Sequence, residues 1–339
     1  MIVDRYYYSQ LNEREQAIYK AFYQGVMEHR NIIPIPVKGK ITDEVFHTVY
    51  LAMTRDNPLI YHLNQSSCNR AEDLFGHTAI CPQYFFSKKK VKEYNRKIEK
   101  AVNGLAIKLR LTEGTDYEKE RKVHDWMCQN IEYDDEGADL NNPTRVIVAH
   151  NIIGVFAHHK GQCEGIAKAV KVLLNVVDVK CIVVTGDASG NGQDGPHAWN
   201  IVNLNGVPYQ MDVTWDIGVG RALQKQIPYG YFNITDEMML RDHKPDSKLP
   251  ECNALEENYF TKNKLAFRMR SRLLSYIEKE MNRGRREFYF RVEGRLKQSA
   301  IVNDVVNIAS NRLAEQGVKH IRMQQIPNDK LGVYWIKVY

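Results

Sequence analysis

Residues 160–216 decide the fold, reading KGQCEGIAKAV at 160–170, CIVVTG at 181–186 and GPHAWNIVNLNGVPYQMDVTWD at 195–216. They predict a helix with a cysteine in its first turn, a strand that a histidine opens, and a returning strand that carries an aspartate. Cysteine, histidine and aspartate are the residue types of a thiol nucleophile, its base and the group that orients the base.

Cys163 comes just before an apolar stripe that recurs at steps of three and four residues. Its members are Ile166, Ala167, Val170, Leu173, Leu174 and Val177. This period predicts a helix packed on a core, with Cys163 in or next to its first turn. The free N–H groups and the dipole at a helix start favour a thiolate. The same N–H groups could bind a carbonyl oxygen that becomes negative when sulfur attacks.

The dipeptide Asn205-Gly206, between two alternating apolar runs, predicts a hairpin with a two-residue type I′ turn. If Leu204 faces Val207, the period of two places His197 and Asp212 on one face as diagonal neighbours. Their backbones would then lie roughly 7 to 8 Å apart. The register therefore predicts a hydrogen bond between this carboxylate and this imidazole.

The motifs GQC at 161–163, HAW at 197–199 and DVTWD at 212–216 occur in the order that is found in the transglutaminase-like superfamily, and the chain resembles a bacterial-type member of it. The resemblance is strongest over the 57 residues 160–216 and can be extended to the range from about 117 to 260. It implies an α+β fold with a papain-like, transglutaminase-like core. In such a core the helix that bears the cysteine packs on an antiparallel sheet.

The resemblance also implies a catalytic triad. Cys163 would be the nucleophile, His197 the general base and acid, and Asp212 the residue that holds the imidazole tautomer. The superfamily includes proteases, amidases, amine-transferring enzymes and members without catalysis. It therefore implies the machinery rather than one reaction.

An oxyanion hole needs hydrogen-bond donors, and the Cys163 backbone N–H supplies part of it. Residue 157, six before the cysteine, is alanine, where papain-type enzymes carry a glutamine. The candidates for the second donor are Gln162, Trp126 and Tyr133. Trp199 is expected to wall the cleft.

The predicted reaction is acyl transfer through a thioester, in which Cys163 attacks an amide carbonyl and water or an amine takes the acyl group. The sequence has no acidic cluster resembling the calcium sites of animal cross-linking enzymes. This favours hydrolysis by a cysteine protease or amidase acting on peptide or cell-envelope amides. A protein-glutamine transglutaminase is an alternative. A non-catalytic scaffold is another, although all three triad positions are filled.

Length and composition indicate a globular protein of two or three domains, with 339 residues, 43% hydrophobic and 26% charged. The predicted domains are a helix-rich α+β region at 1–111, the catalytic core at 112–259 and a small α+β domain at 260–339. Within the core, a helix is predicted at about 145–157. The last domain is predicted as a helix at 265–281, a strand around 288–292, a helix around 301–313, and strands at 320–325 and 333–339.

The chain start, MIVDRYYYSQLNEREQ, has no basic segment followed by an apolar stretch, so it does not resemble a secretory signal. No apolar run approaches the roughly 18 residues of a membrane span. The six cysteines are scattered without a CxxC pair, which favours a reducing compartment. We expect a cytoplasmic protein, or an extracytoplasmic one if a leader was removed.

The net charge is +6, and residues 260–297 hold twelve lysines and arginines against four acids. This segment could contact an acidic polymer, while a solvated helix face is the favoured interpretation. The run SKKKVKEYNRKIEK at 87–100 is also interpreted as a solvated face. We expect a peptide or protein amide as substrate and no nucleic acid partner.

No metal and no cofactor are predicted. His158 and His159 lie shortly before Cys163 and suggest zinc, but no third and fourth ligand occur at suitable spacing. His124 is expected to be a satisfied structural histidine. His243 is expected either to line the cleft or to have a structural role.

Overall fold

The computed structural model describes residues 4–138, 141–190, 193–223, 226–294, 298–318 and 320–339. Its buried apolar side chains form a large central cluster, an N-terminal cluster and a C-terminal cluster. Helices and strands alternate irregularly along the chain, which confirms the predicted α+β class. None of the helices in the described ranges is long and apolar enough to cross a membrane.

The N-terminal part contains a three-stranded antiparallel sheet in the order β1-β3-β2, with strands β1 (Ile33–Lys38), β2 (Leu63–Glu72) and β3 (His77–Tyr84). Its helices are α1 (Tyr6–Gln10), α2 (Glu13–Met27), α3 (Asp43–Asp56) and α4 (Lys88–Lys108). Ile98 and Val102 of α4 pack into the central cluster, although α4 precedes the predicted boundary near 112. The domain boundaries therefore stay a prediction.

The central part carries the residues of the predicted triad. Its helices are α5 (Asp116–Asn130), α6 (Pro143–Ala149), α7 (Ile152–His158), α8 (Cys163–Asn175), α9 (Val213–Ala222), α10 (Asp236–Met239) and α11 (Tyr259–Lys262). Its strands are β4 (Glu132–Tyr133), β5 (Lys160–Gly161), β6 (Lys180–Gly190), β7 (Gln193–Leu204), β8 (Val207–Met211) and β9 (His243–Pro245). Helix α8 packs on β6 and β7 of an antiparallel sheet in the order β8-β7-β6-β9.

The hairpin between β7 and β8 confirms the predicted turn and register. Asn205 and Gly206 have φ values of 54° and 90°, which is the left-handed conformation that a type I′ turn requires at both positions. Leu204 pairs with Val207, and the same register continues to Asn200 opposite Met211. His197 lies inside β7, opposite Gly186, and not at the opening of the strand as predicted.

Asp212 does not lie on the returning strand, so this part of the prediction was wrong. Strand β8 ends at Met211, and Asp212 is the N-cap residue of α9. Its Oδ1 accepts a hydrogen bond of 3.1 Å from the Trp215 backbone N–H. A carboxylate that satisfies a free N–H group favours a helix start at this point.

The helix predicted at 145–157 is two helices, α6 and α7, separated at His150 and Asn151. The carbonyl oxygen of Ala149 accepts a hydrogen bond of 2.9 Å from the Gln162 N–H. In a continuous helix this carbonyl would accept a hydrogen bond from within the helix. Here a residue from later in the chain donates to it instead, and the helix is interrupted.

The C-terminal part has the predicted order of helix, strand, helix, strand, strand, preceded by a short strand. Its elements are β10 (Ala266–Phe267), α12 (Arg270–Asn282), β11 (Glu287–Val292), α13 (Gln298–Glu315), β12 (Met323–Asn328) and β13 (Val333–Val338). The helix predicted from 265 begins later, because Ala266 and Phe267 pair in parallel with Arg291 and Val292.

Many positive charges of the 260–297 segment pair with acids in the same part of the chain. Arg268 and Arg291 pair with Glu293, Arg270 with Asp304, and Arg283 and Arg285 with Glu280. Residues 295–297 lie outside the described residues. Contact between this segment and an acidic polymer remains a prediction.

Candidate active site

Cys163 is the first residue of α8 and is buried, with 7% of its surface exposed. This confirms the predicted start of the helix. Gly165 allows a close approach here, since a Cβ at this position would lie 2.4 Å from the carbonyl oxygen of Ala149. The start of α8 is therefore held tightly against the turn between α6 and α7.

His197 and Asp212 form a short hydrogen bond, with 2.6 Å between Nε2 and Oδ2. An ionised carboxylate can only accept, so the imidazole Nε2–H donates. Burial alone would lower the pKa of His197, but the Asp212 carboxylate and then the Cys163 thiol raise it to about 10. Burial would raise the pKa of Asp212, but the charge and hydrogen bond of His197 hold it well below its usual range.

The Cys163 thiol lies close enough to His197 to contribute to the raised pKa of the imidazole. Because Nε2 of the ring is bound to Asp212, Nδ1 is the nitrogen left free to meet the thiol. An imidazole placed in this way can take a proton from sulfur, while the carboxylate fixes the ring and stabilises the imidazolium.

His243 is a second imidazole on the same carboxylate oxygen, with 3.0 Å between its Nε2 and Asp212 Oδ2. Its Nδ1 lies 2.7 Å from Oδ1 of Asp242, and its side chain is fully buried. Burial would lower its pKa, but the hydrogen bonds with Asp212 and Asp242 raise it. Sequence reasoning left this residue undecided, because β9 brings it to the site only by pairing with β6.

His197, Asp212 and His243 each offer a ligand atom within 4.8 Å of the other two, a spacing that could hold a metal ion. In the structure, hydrogen bonds of 2.6 and 3.0 Å join both imidazoles to one carboxylate oxygen. These hydrogen bonds already satisfy the three groups.

Tyr133 is the oxyanion candidate whose electrostatic surroundings include Cys163 and Asp212. It is on β4, opposite Gly161 of β5, two residues before the thiol. Burial raises the pKa of its hydroxyl to about 12, with further contributions from the charges of Cys163 and Asp212. Its phenol therefore keeps its proton at neutral pH and can act as a donor.

The other candidates have other contacts. The Gln162 side chain is buried, and its Nε2 donates to the backbone oxygen of Asp134 at 2.9 Å. Trp126 lies beside His159, with 6.1 Å between the ring centroids. Trp199 is buried behind His197, with its ring centroid 6.2 Å from the imidazole, and its Nε1 donates to Gln210 at 2.8 Å.

Trp215 is a further residue that sequence reasoning did not select. Its ring centroid lies 5.9 Å from that of His197 and 4.6 Å from that of His243. The only signal in the sequence was its place in DVTWD, one residue before Asp216. Asp216 accepts a hydrogen bond of 3.0 Å from His124, which is the satisfied structural histidine that was expected.

Residues 103–213 match the model of the transglutaminase-like superfamily, and this range contains Cys163, His197 and Asp212. The match agrees with the resemblance of the motifs in this part of the chain. The family supports a thiol-based enzyme.

Kyphoscoliosis peptidase of Mus musculus is 28% identical over 163 residues, which are 44% of this chain and 24% of that protein. Kyphoscoliosis peptidase of Homo sapiens is 29% identical over 146 residues, 40% of this chain and 22% of that protein. The chain thus spans about a quarter of the length of these relatives. A solved structure of a TGase is similar over 54% of this chain and 50% of its own, with 14% identity and a TM-score of 0.31.

Proposed function

We propose that this protein is a cysteine protease or amidase that hydrolyses amide bonds through a thioester on Cys163. The observation that carries the proposal is the His197 imidazole, which is hydrogen-bonded to the buried Asp212 carboxylate and whose pKa is also raised by the Cys163 thiol. The superfamily match and the peptidase names of the mouse and human relatives support it.

In the proposed mechanism His197 already holds the proton of the Cys163 thiol, and the thiolate sulfur forms a bond to the amide carbonyl carbon. The carbonyl electrons move to oxygen and return when the C–N bond breaks. His197 then protonates the leaving amine. Water attacks the thioester after giving a proton to His197, the S–C bond breaks, and sulfur leaves as the thiolate while the proton stays on His197. Asp212 orients the ring in both halves.

The developing oxyanion would receive one hydrogen bond from the Cys163 backbone N–H at the start of α8. Tyr133 is the second donor that the contacts favour, because its phenol lies within the electrostatic influence of Cys163 and Asp212. Donors aimed at developing charge stabilise the transition state in a site that excludes water.

The nucleophile is tested by its rate of alkylation with iodoacetamide. We expect Cys163 to be labelled well ahead of the other five cysteines and His197→Ala to slow its labelling. His197, with a pKa of about 10, holds its proton between about pH 6 and 9. The rate should therefore change little over this range, whereas that of an ordinary thiol, with a pKa of about 8.5, rises by more than about hundredfold.

Peptide mapping by mass spectrometry gives the rate for each cysteine, with Cys163→Ala as the control. Equal rates for Cys163 and an ordinary thiol over this pH range would contradict the proposal. Peptide and amine-acceptor libraries then separate the two reactions. Release of a free acid supports hydrolysis, transfer to an amine supports a transglutaminase, and neither product from a reactive thiol supports a binding protein that retains the fold.

A further inference from the structure

A groove of about 570 Å³ runs between α4 and α7, away from the predicted triad residues, none of which lines it. Three features of the sequence that the proposed function does not use meet in this groove. They are the lysine-rich run at the start of α4, the pair His158-His159, and Trp126. A volume of this size lies within the range of about 300 to 1,000 Å³ that is typical of ligand sites.

One wall of the groove is positively charged. Lys97, Lys100 and Lys108 of α4 line it and are exposed. No carboxylate of the described residues lies within 4.0 Å of their ammonium groups, whereas Lys90 at the same wall pairs with Glu93 at 3.4 Å. No aspartate or glutamate is among the lining residues. The groove therefore has positive charge that the described chain does not neutralise.

The rest of the groove is mainly apolar. Trp126, Val155 and Phe156 line it and are buried, and Tyr94 and Leu105 are half-buried on the α4 side. His159 adds a second aromatic ring, 6.1 Å from that of Trp126. A ligand that covers this surface gains from apolar contact as well as from charge.

We propose that this groove binds an extended acidic peptide that also carries apolar side chains. Lys97 and Lys108 are separated by eleven positions of one helix, or about 16 Å at about 1.5 Å per residue. An extended peptide covers the same length with about five residues at about 3.3 Å each. Because its side chains alternate, carboxylates can face the lysines while apolar side chains face Tyr94, Leu105 and the His159 ring.

The shape and the charge together favour this ligand over other anions. A free phosphate would meet one end of the lysine row and leave the apolar surface uncovered. A sulfated polysaccharide would match the charge but has no apolar groups for the rest of the groove. A single-stranded nucleic acid could stack its bases there, and direct binding measurements distinguish it from the peptide. The proposal does not depend on the reaction at Cys163, since the residues that line the groove and those of the triad are different.

The test is the binding of a fluorescein-labelled peptide of about eight residues, in which glutamate alternates with leucine and phenylalanine. Binding is measured by fluorescence anisotropy with the full chain. We expect Lys97→Glu with Lys100→Glu to weaken binding by about tenfold or more, because two attractive contacts become repulsive. Binding should also weaken as salt shortens the range of the charges.

The matched control is Lys89→Glu with Lys92→Glu, which has the same spacing and charge change on exposed positions of α4 outside the groove. It should stay within about twofold of the unchanged chain, and all variants should give the same circular dichroism spectrum. Equal loss in both pairs, or no loss in the groove pair, would overturn the proposal. So would binding of heparin or single-stranded DNA in the groove when the peptide does not bind.

Discussion

The imidazoles of His197 and His243 bind the same oxygen of Asp212, and His243 also binds the Asp242 carboxylate. His243 donates to Asp212 through Nε2 and contacts Asp242 through Nδ1, with no exposed side-chain surface. Asp212 in turn caps α9 with its other oxygen. The carboxylate that orients His197 is therefore fixed from three directions, and His243 is a positioning residue in the proposed mechanism.

Replacement of His243 by alanine should slow alkylation of Cys163 by about tenfold. The lost hydrogen bond to a charged group is worth about 1.5 kcal/mol, which corresponds to that factor. His243→Gln, which keeps a donor, should recover most of the rate. The rates of both variants are measured between about pH 6 and 9, since a changed pH profile separates a role in positioning from a general loss of structure.

His47→Ala is the control for this prediction, because His47 is exposed on α3 in the N-terminal part of the chain. It should leave the alkylation rate unchanged. If His243→Ala and His243→Gln give equal alkylation rates and the same pH profile as the unchanged chain, His243 does not position Asp212.

At the scale of the element, the start of α8 depends on a close contact between backbones. A Cβ on Gly165 would lie 2.4 Å from the oxygen of Ala149 and 3.0 Å from that of Asn151. These are backbone atoms, which cannot turn aside as a flexible side chain can.

Gly165→Ala should therefore lower the free energy of unfolding by about 1 to 2 kcal/mol, because overpacking outweighs the helix propensity that alanine gains. Gly104→Ala is the matched control, since Gly104 is inside α4 and a Cβ there would meet nothing within 4 Å. It should raise the free energy of unfolding by about 0.5 to 1 kcal/mol. Urea titrations measure both changes, and a gain for both variants would refute the packing argument.

Elements with local signals were predicted well, and those with distant contacts were not. The start of α8 and the turn at Asn205-Gly206 depend on residues that are close in the sequence. Periodicity and turn chemistry were therefore sufficient to predict them. The break between α6 and α7 depends on a hydrogen bond from Gln162, and the strand at Ala266–Phe267 on pairing with β11. Neither of these partners is visible in the local pattern.

At the scale of the whole molecule, the N-terminal part is joined to the sheet β8-β7-β6-β9 by polar contacts. The Tyr7 hydroxyl donates to the backbone oxygen of Val183 on β6 at 2.8 Å. Arg55 forms an ion pair of 2.7 Å with Asp246, the residue that follows β9. The N-terminal part thus supports the end of β9 and strand β6, which pairs with the strands of His197 and His243.

Tyr7→Phe should lower the free energy of unfolding by about 1 to 2 kcal/mol, because it leaves a buried carbonyl without this donor. Tyr8→Phe is the control, because Tyr8 is only half-buried. Its hydrogen bond to Asp56 comes from the backbone N–H, which the substitution keeps. It should change the value by less than about 0.5 kcal/mol. Equal urea midpoints for the two variants would show that the contact does not support the fold.

The sequence by itself determined the nucleophile helix, the hairpin register and the triad as a hypothesis, because these follow from periods of two and 3.6 residues and from a short turn. Only the tertiary structure decided that His243 binds Asp212, that Tyr133 lies within the electrostatic influence of Cys163, and that Trp126 lines the same groove as lysines of α4. The physical reason is that strand pairing and helix packing join residues far apart in the chain, whose spacing carries no local period.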